Sequence, residues 1–163
     1  MPNPQKTLVI VVSYHHKNTE KIAQVFARVL EAPLKTPQQI NPDELHEYNL
    51  IGFGSGIYGA KHHKALFDLV ESLPQVTKKK AYIFSTHGAP SVAGEEYVVT
   101  NHSALRNTLQ AKGYTIIDEF SCRGHNTNSF LKLFGGINKG RPNAEDLQHA
   151  EAFAQNLKQH LAK

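Results

Sequence analysis

The stretch 6–22, KTLVIVVSYHHKNTEKI, constrains the chain most. Its apolar run, 7–12, is rich in Val and Ile and predicts a buried strand. A polar turn, 13–19, follows and opens a helix. The first N–H groups of a helix have no partner within it and carry partial positive charge. Ser13, His15, His16, Lys17, Asn18 and Thr19 stand where those donors lie. In one reading the turn holds the phosphate of a mononucleotide. In the other its polar residues only cap the helix. The remainder of the chain has to decide between them.

The strand-turn-helix pattern recurs. Ile22, Ala23, Val25, Phe26, Val29 and Leu30 have helical spacing and predict a helix over 18–30, stopped by Pro33. Leu34 and Lys35 predict a short strand. Asn41-Pro42-Asp43-Glu44-Leu45 reads as a capped helical turn with Pro at its first position. A strand over 48–54 runs into a glycine-rich loop, 55–59, and a helix over 61–73 follows. Residues 80–85 predict a strand and 86–90 a loop. A helix over 101–112 ends at Gly113, and 114–122 predicts a fifth strand. Residues 123–143 are long and irregular. Asn143 then caps a final helix, with Glu145 and Asp146 in its first turn.

Five alternations of strand and helix predict an α/β fold. Its form is a doubly wound, five-stranded parallel sheet with helices on both faces, in one domain over 1–163. Ligands of such sheets sit outside the carboxyl ends of the strands, where the strand order reverses. The unusual loops follow strands one, three, four and five, so all four lie at that edge.

Composition narrows the function. Hydrophobic residues make up 40% and charged residues 20% of the 163, as in a soluble globular protein. No apolar run approaches the ~20 residues that span a bilayer, and the N-terminus lacks signal-peptide architecture. The expected address is cytoplasmic. The single cysteine, Cys122, excludes an internal disulfide and is expected to pack. His15-His16 and His62-His63 are adjacent rather than helically spaced, so no metal site is expected. Net charge is +4, with ten histidines besides. That balance suits an anionic partner, but no basic helix with interleaved aromatics points to nucleic acid.

The loops read best as a set. Ser55, Gly56, Ile57, Tyr58 and Gly59 offer backbone that can approach a flat ligand, and an aromatic face for stacking. Ser85, Thr86, His87 and Gly88 offer hydrogen bonds along a ring edge. Phosphate at one end and a planar heterocycle at the other describe flavin mononucleotide, FMN. The sequence resembles the flavodoxin family at S-Y-H-H-K-N-T-E (13–20), G-F-G-S-G-I-Y-G (52–59) and S-T-H-G (85–88). The resemblance implies strand order 2-1-3-4-5 with FMN at the carboxyl edge. It assigns Ser13, His15, Asn18 and Thr19 to the phosphate, 55–59 to one flavin face and 85–88 to the other ring edge. It also implies the short-chain kind, since no long insertion splits the fifth strand.

Two departures stand out. The family's phosphate loop usually reads Ser/Thr-x-Thr-Gly-x-Thr. Here one residue is added, His15-His16 replaces hydroxyl residues, and Lys17 sits where glycine is usual. Typical electron-carrier flavodoxins are strongly acidic, whereas this chain is basic. The expected rim carries His15, His16, Lys17, Lys61, His62, His63 and Lys64. Positive neighbours favour an anionic reduced flavin and two-electron reduction. His87 and His62 are the candidate catalytic residues.

The stretch S-G-I-Y-G-A-K-H-H-K-A-L, 55–66, is also similar to a loop of menaquinone-linked protoporphyrinogen dehydrogenases. The expected function is an FMN-binding redox protein, either an electron carrier or a small reductase. Its partner would be a redox protein or a small quinone-like substrate, and a homodimer is compatible with this reading. A flavin-free module on the same fold is the alternative of another class. A phosphoryl receiver lacks its acidic residues here, since Ser13-Tyr14 and Gly54-Ser55 hold those places. A serine hydrolase lacks the nucleophile-elbow spacing around Ser55.

Overall fold

The apolar run 7–12 forms strand β1, Thr7–Val12, and all six of its residues are buried. Side chains alternate across a strand, so a run buried throughout needs cover on both faces. The computed structural model describes residues 5–13, 17–88, 95–124 and 140–162. Helix α1 is Asn18–Leu30 and strand β2 is Leu34–Lys35. Two 3-10 turns, Pro37–Gln39 and Pro42–Glu47, lead to β3, Leu50–Tyr58. The rest comprises β4, Lys61–His62; α2, Lys64–Ser72; β5, Lys79–His87; α3, Glu95–Ala111; β6, Tyr114–Arg123; and α4, Ala144–Leu161.

The sheet order is β2-β1-β3-β5-β6, and every pairing along it is parallel. With the small β4 set aside, this is the expected 2-1-3-4-5. On one face, Leu8, Ile10, Phe53 and Ile83 pack with Leu66, Leu69, Leu105 and Leu109 of α2 and α3. On the other, Val9, Val11, Tyr82 and Phe84 pack with α1 and α4. Phe26 of α1 anchors that second core. Its ring centroid lies between 5.0 and 5.6 Å from those of Tyr82, Phe84, Phe120 and Phe153. On the two central strands the carboxyl ends turn to glycine and polar residues, Gly54-Ser55-Gly56 on β3 and Ser85-Thr86-His87 on β5.

Several boundaries differ from the sequence reading. Residues 55–58 are not loop but the end of β3, which turns back through Gly59 and Ala60 into antiparallel β4. Both turn residues have positive φ, 56° and 64°. That pair of signs gives a two-residue turn whose twist suits a hairpin, so the strand continues where glycine suggested a break. Helix α2 therefore starts at Lys64 rather than 61. Its cap is His63, whose Nδ1 accepts the Ala65 N–H at 3.0 Å. Helix α3 starts at Glu95, six residues earlier than its apolar spacing suggested. Its first turns carry little buried surface, and Val99 is 58% exposed. Strand β5 extends to His87, so Thr86 and His87 end a strand rather than open a loop.

Candidate functional site

Three chain segments meet at the carboxyl edge. Ser13 follows β1, and its Oγ accepts the Glu20 N–H at 3.1 Å. Accepting there leaves the Ser13 hydroxyl proton to donate outward. Lys17 is the N-cap of α1, with φ 56° and ψ 33°, and its side chain caps nothing. A left-handed lysine costs about 1 kcal/mol or more, the strain expected where the family prefers glycine. Asn18 and Thr19 are buried at the start of the helix. Thr19 Oγ1 and Thr86 Oγ1 lie 2.8 Å apart, which ties α1 to the end of β5. The Gly124 N–H donates to His87 O at 2.8 Å, which ties β6 to the same place. Gly124 also presses on α1. A Cβ there would lie 2.5 Å from Asn18 Nδ2, so only glycine fits without displacement. His15 and His16, also expected in this cradle, lie outside the described residues.

The end of β3 supplies the second wall. Ser55 is buried; its Oγ accepts the His63 N–H at 2.9 Å and donates to Gly56 O at 2.6 Å. Ile57 and Tyr58 are half-buried in the hairpin. The Tyr58 ring stands edge-on to His63, with centroids 5.4 Å apart. An open groove of about 930 Å³ runs beside them, bordered by Tyr58, Lys61, Phe67 and Glu71. Gly59 sits at the hairpin turn, where a Cβ would meet nothing within 4 Å. Its φ of 56° suits glycine at this turn.

The two expected catalytic histidines part company. His62 is not on the rim. It is 1% exposed, and its Nε2–H donates to Phe84 O at 3.0 Å. Strand alternation on β4 turns it inward, while its neighbour His63 caps α2. Burial first, then the nearby His102, push the His62 pKa down to about 3, so it is neutral at pH 7. That corrects its expected place on an exposed rim. His87 is half-buried at the edge and meets Tyr97 edge-to-face at 5.2 Å. Burial, then Arg123, His102 and Arg141, bring its pKa down to about 4. A neutral imidazole can both donate and accept.

The basic rim is thinner than the sequence implied. Lys64 Nζ lies 2.7 Å from Asp68 Oδ2, so a neighbouring carboxylate answers it. Arg141 is paired with Asp146. Lys17, Lys61 and Arg123 form no salt bridge among the described residues. Cys122 is buried, and burial with the nearby Asp146 raises its thiol pKa to about 12, as a packing residue should show. No group of three or more His, Cys, Asp or Glu able to hold a metal occurs among the described residues.

Sequence reasoning missed a polar cluster under this edge. Ser85 Oγ lies 2.7 Å from His102 Nε2 and 2.9 Å from Ser121 Oγ. His102 Nδ1 lies 3.0 Å from Glu119 Oε1, and Arg106 grips the same carboxylate at 2.8 and 2.9 Å. Ser85 is 1% exposed and its hydroxyl points under α3, so only its backbone faces the edge. One signal was available: His102 falls three and seven residues before Leu105 and Leu109, on the buried stripe of α3.

The Flavodoxin domain family model matches residues 9–136 of this chain. The chain belongs to the flavodoxin-domain family. This flavodoxin-domain protein is 44% identical over 152 residues to the uncharacterized protein MJ0298 of Methanocaldococcus jannaschii, covering 93% of this chain and 97% of that one. Its fold is similar to that of a flavodoxin from the domain Archaea, with TM-score 0.70 and 18% identity over 98% of this chain and all of the other. It is also similar to an azoreductase from Bacillus anthracis str. Sterne, with TM-score 0.61 and 11% identity over 93% of this chain and 100% of that one. The chain is thus a flavodoxin-like redox protein. No described helix is long and apolar enough to cross a membrane.

Proposed function

We propose that this edge binds FMN and that the protein passes electrons through it as a small reductase. The observation that carries the reading is the 2.8 Å Thr19–Thr86 bond, which joins the phosphate end of the cradle to its ring edge. The residues fit the cofactor. Ser13, Asn18 and Thr19 put donors at the start of α1, and Lys17 adds a cation beside them. Gly124 closes on Asn18 so tightly that a Cβ would collide, which keeps the third side of the cradle shallow. The end of β3 and the segment Thr86-His87-Gly88 flank the space where a planar ring would lie.

Bound FMN would supply reversible one- or two-electron transfer. The protein's part is to bind, orient and bias. Lys17 and the α1 amides favour a dianionic phosphate. Neutral His87 can donate or accept at the ring edge without adding charge. Lys17, Lys61 and Arg123 favour an anionic ligand over the neutral one, without the acidic surround that typical carriers have. The groove bordered by Tyr58, Phe67, Lys61 and Glu71 suits a flat substrate such as a quinone. That groove favours the reductase over the carrier, and a cytoplasmic location with a protein or nicotinamide electron donor accords with this role. A protoporphyrinogen-type substrate rests only on the 55–66 similarity.

Two measurements test the reading. Apoprotein should bind FMN at least about tenfold more tightly than riboflavin, because the phosphate supplies the added contacts; equal affinity would contradict the phosphate site. A redox titration of the FMN-loaded protein should show little semiquinone and one two-electron wave. Abundant semiquinone with a very low second potential would identify a carrier instead.

A further inference from the structure

Beneath the edge lies a row of serines. Ser55, Ser85 and Ser121 are register partners on β3, β5 and β6. Above the row stand His62 and His102, their ring centroids 4.8 Å apart. His102 is fully buried, Ser85 nearly so, and Glu119 is half-buried and paired with Arg106. Burying so many polar groups brings no stability that apolar side chains of the same shape would not match. Something other than stability therefore accounts for the layer.

The carboxylate sets the direction of the first hydrogen bond in the cluster. A carboxylate only accepts. Glu119 is a carboxylate, because the bonds from His102 and Arg106 outweigh its burial and hold its pKa down to about 2. His102 then donates from Nδ1 to Glu119, and with that one proton its ring presents a lone pair at Nε2. The Ser85 hydroxyl, 2.7 Å away, can donate its proton to that lone pair and accept from Ser121 at 2.9 Å. The order Ser85, His102, Glu119 has the contacts of a hydrolytic triad. A substrate cannot reach it, since Ser85 is 1% exposed between β5 and α3. What the chain does reach is the backbone of β5 one residue before Thr86.

We propose that Glu119 and His102 are positioning residues for the ligand edge. Glu119, clamped by Arg106, sets the tautomer of His102; His102 orients the Ser85 hydroxyl; and Ser85 holds the strand end that carries Thr86, His87 and Gly88. The inference rests on the FMN reading for the identity of the ligand, but the placement of the edge is testable without it.

Two variants separate the links. Glu119→Gln keeps the shape and removes the charge, while Ser85→Ala cuts the chain beyond His102. Nitrogen-15 NMR of the imidazole should show His102 protonated at Nδ1 in the wild type and in Ser85→Ala. In Glu119→Gln the tautomers should mix. Both variants should bind FMN about tenfold more weakly. In protein without FMN, amide exchange at Thr86, His87 and Gly124 should be about tenfold faster in both variants, with cooperative unfolding retained.

A Glu119→Gln protein that keeps the Nδ1–H tautomer, or that binds FMN like the wild type, overturns the proposal. So does unchanged exchange at the three amides. If the wild type binds no FMN, the functional reading fails by itself, and the tautomer and exchange measurements still decide the positioning.

Discussion

At the scale of single residues, strain and titration make the sharpest predictions. Lys17 has a backbone that glycine would adopt without penalty. Lys17→Gly should raise stability in urea denaturation by about 1 kcal/mol while weakening FMN binding, since a cation leaves the phosphate. A loss of stability would show that the lysine side chain supports the turn. His62 makes the fold acid-sensitive. Its folded pKa of about 3 lies below the unfolded value of 6.5. Below pH 6.5 the unfolded chain therefore takes a proton that the folded chain refuses, and stability falls as pH drops through that window. The slope approaches about 1.4 kcal/mol per pH unit. His87, neutral down to about pH 4, acts in the same direction. The urea midpoint should therefore drop between pH 7 and pH 5, and His62→Gln should flatten that dependence. The strain at Lys17 was legible in the sequence, because a lysine stands at the family's glycine. The burial of His62 was not, because adjacent histidines look alike until one falls on a strand and the next on a helix cap.

At the scale of elements, the chain's punctuation was largely readable. Asn143 was expected to cap the last helix. It does so reciprocally with Asp146: Asn143 Oδ1 accepts the Asp146 N–H at 3.0 Å, and Asp146 accepts the Asn143 N–H at 2.8 Å. Asn143→Ala should cost about 1 kcal/mol of thermal or urea stability, and a neutral result would mean that α4 is fixed by its packing on α1 alone. Helix α1 and strand β2 have the bounds that apolar spacing and Pro33 implied. The hairpin at Gly59-Ala60 was misread because glycine marks a tight turn as readily as a loop. The early start of α3 left no periodic trace, since its first turns bury little. Of the stretch 123–143, expected to be long and irregular, residues 125–139 lie outside the described residues, and Arg123 ends β6.

At the scale of the whole molecule, alternation of strand and helix specified the parallel sheet and the edge where a ligand belongs, and the resemblance to flavodoxins implied the strand order. The site's outline followed from that edge. Its chemistry did not follow so directly, because the basic rim reads differently in three dimensions. Asp68 answers Lys64, Asp146 answers Arg141, and His62 and His87 are neutral at pH 7. Pairings of this kind depend on which side chains the fold brings together, and formal charge along the sequence does not report them. What remains is a cradle with a few cations, linked across the sheet by Thr19 and Thr86. The central claim is that this cradle holds FMN. The visible spectrum of the purified protein, taken after adding FMN and removing the excess by gel filtration, tests it most directly. An edge that holds FMN gives a yellow protein retaining about one flavin per chain. A colourless protein that keeps no FMN would contradict it, and would mean that the altered loop after β1 serves a different anion.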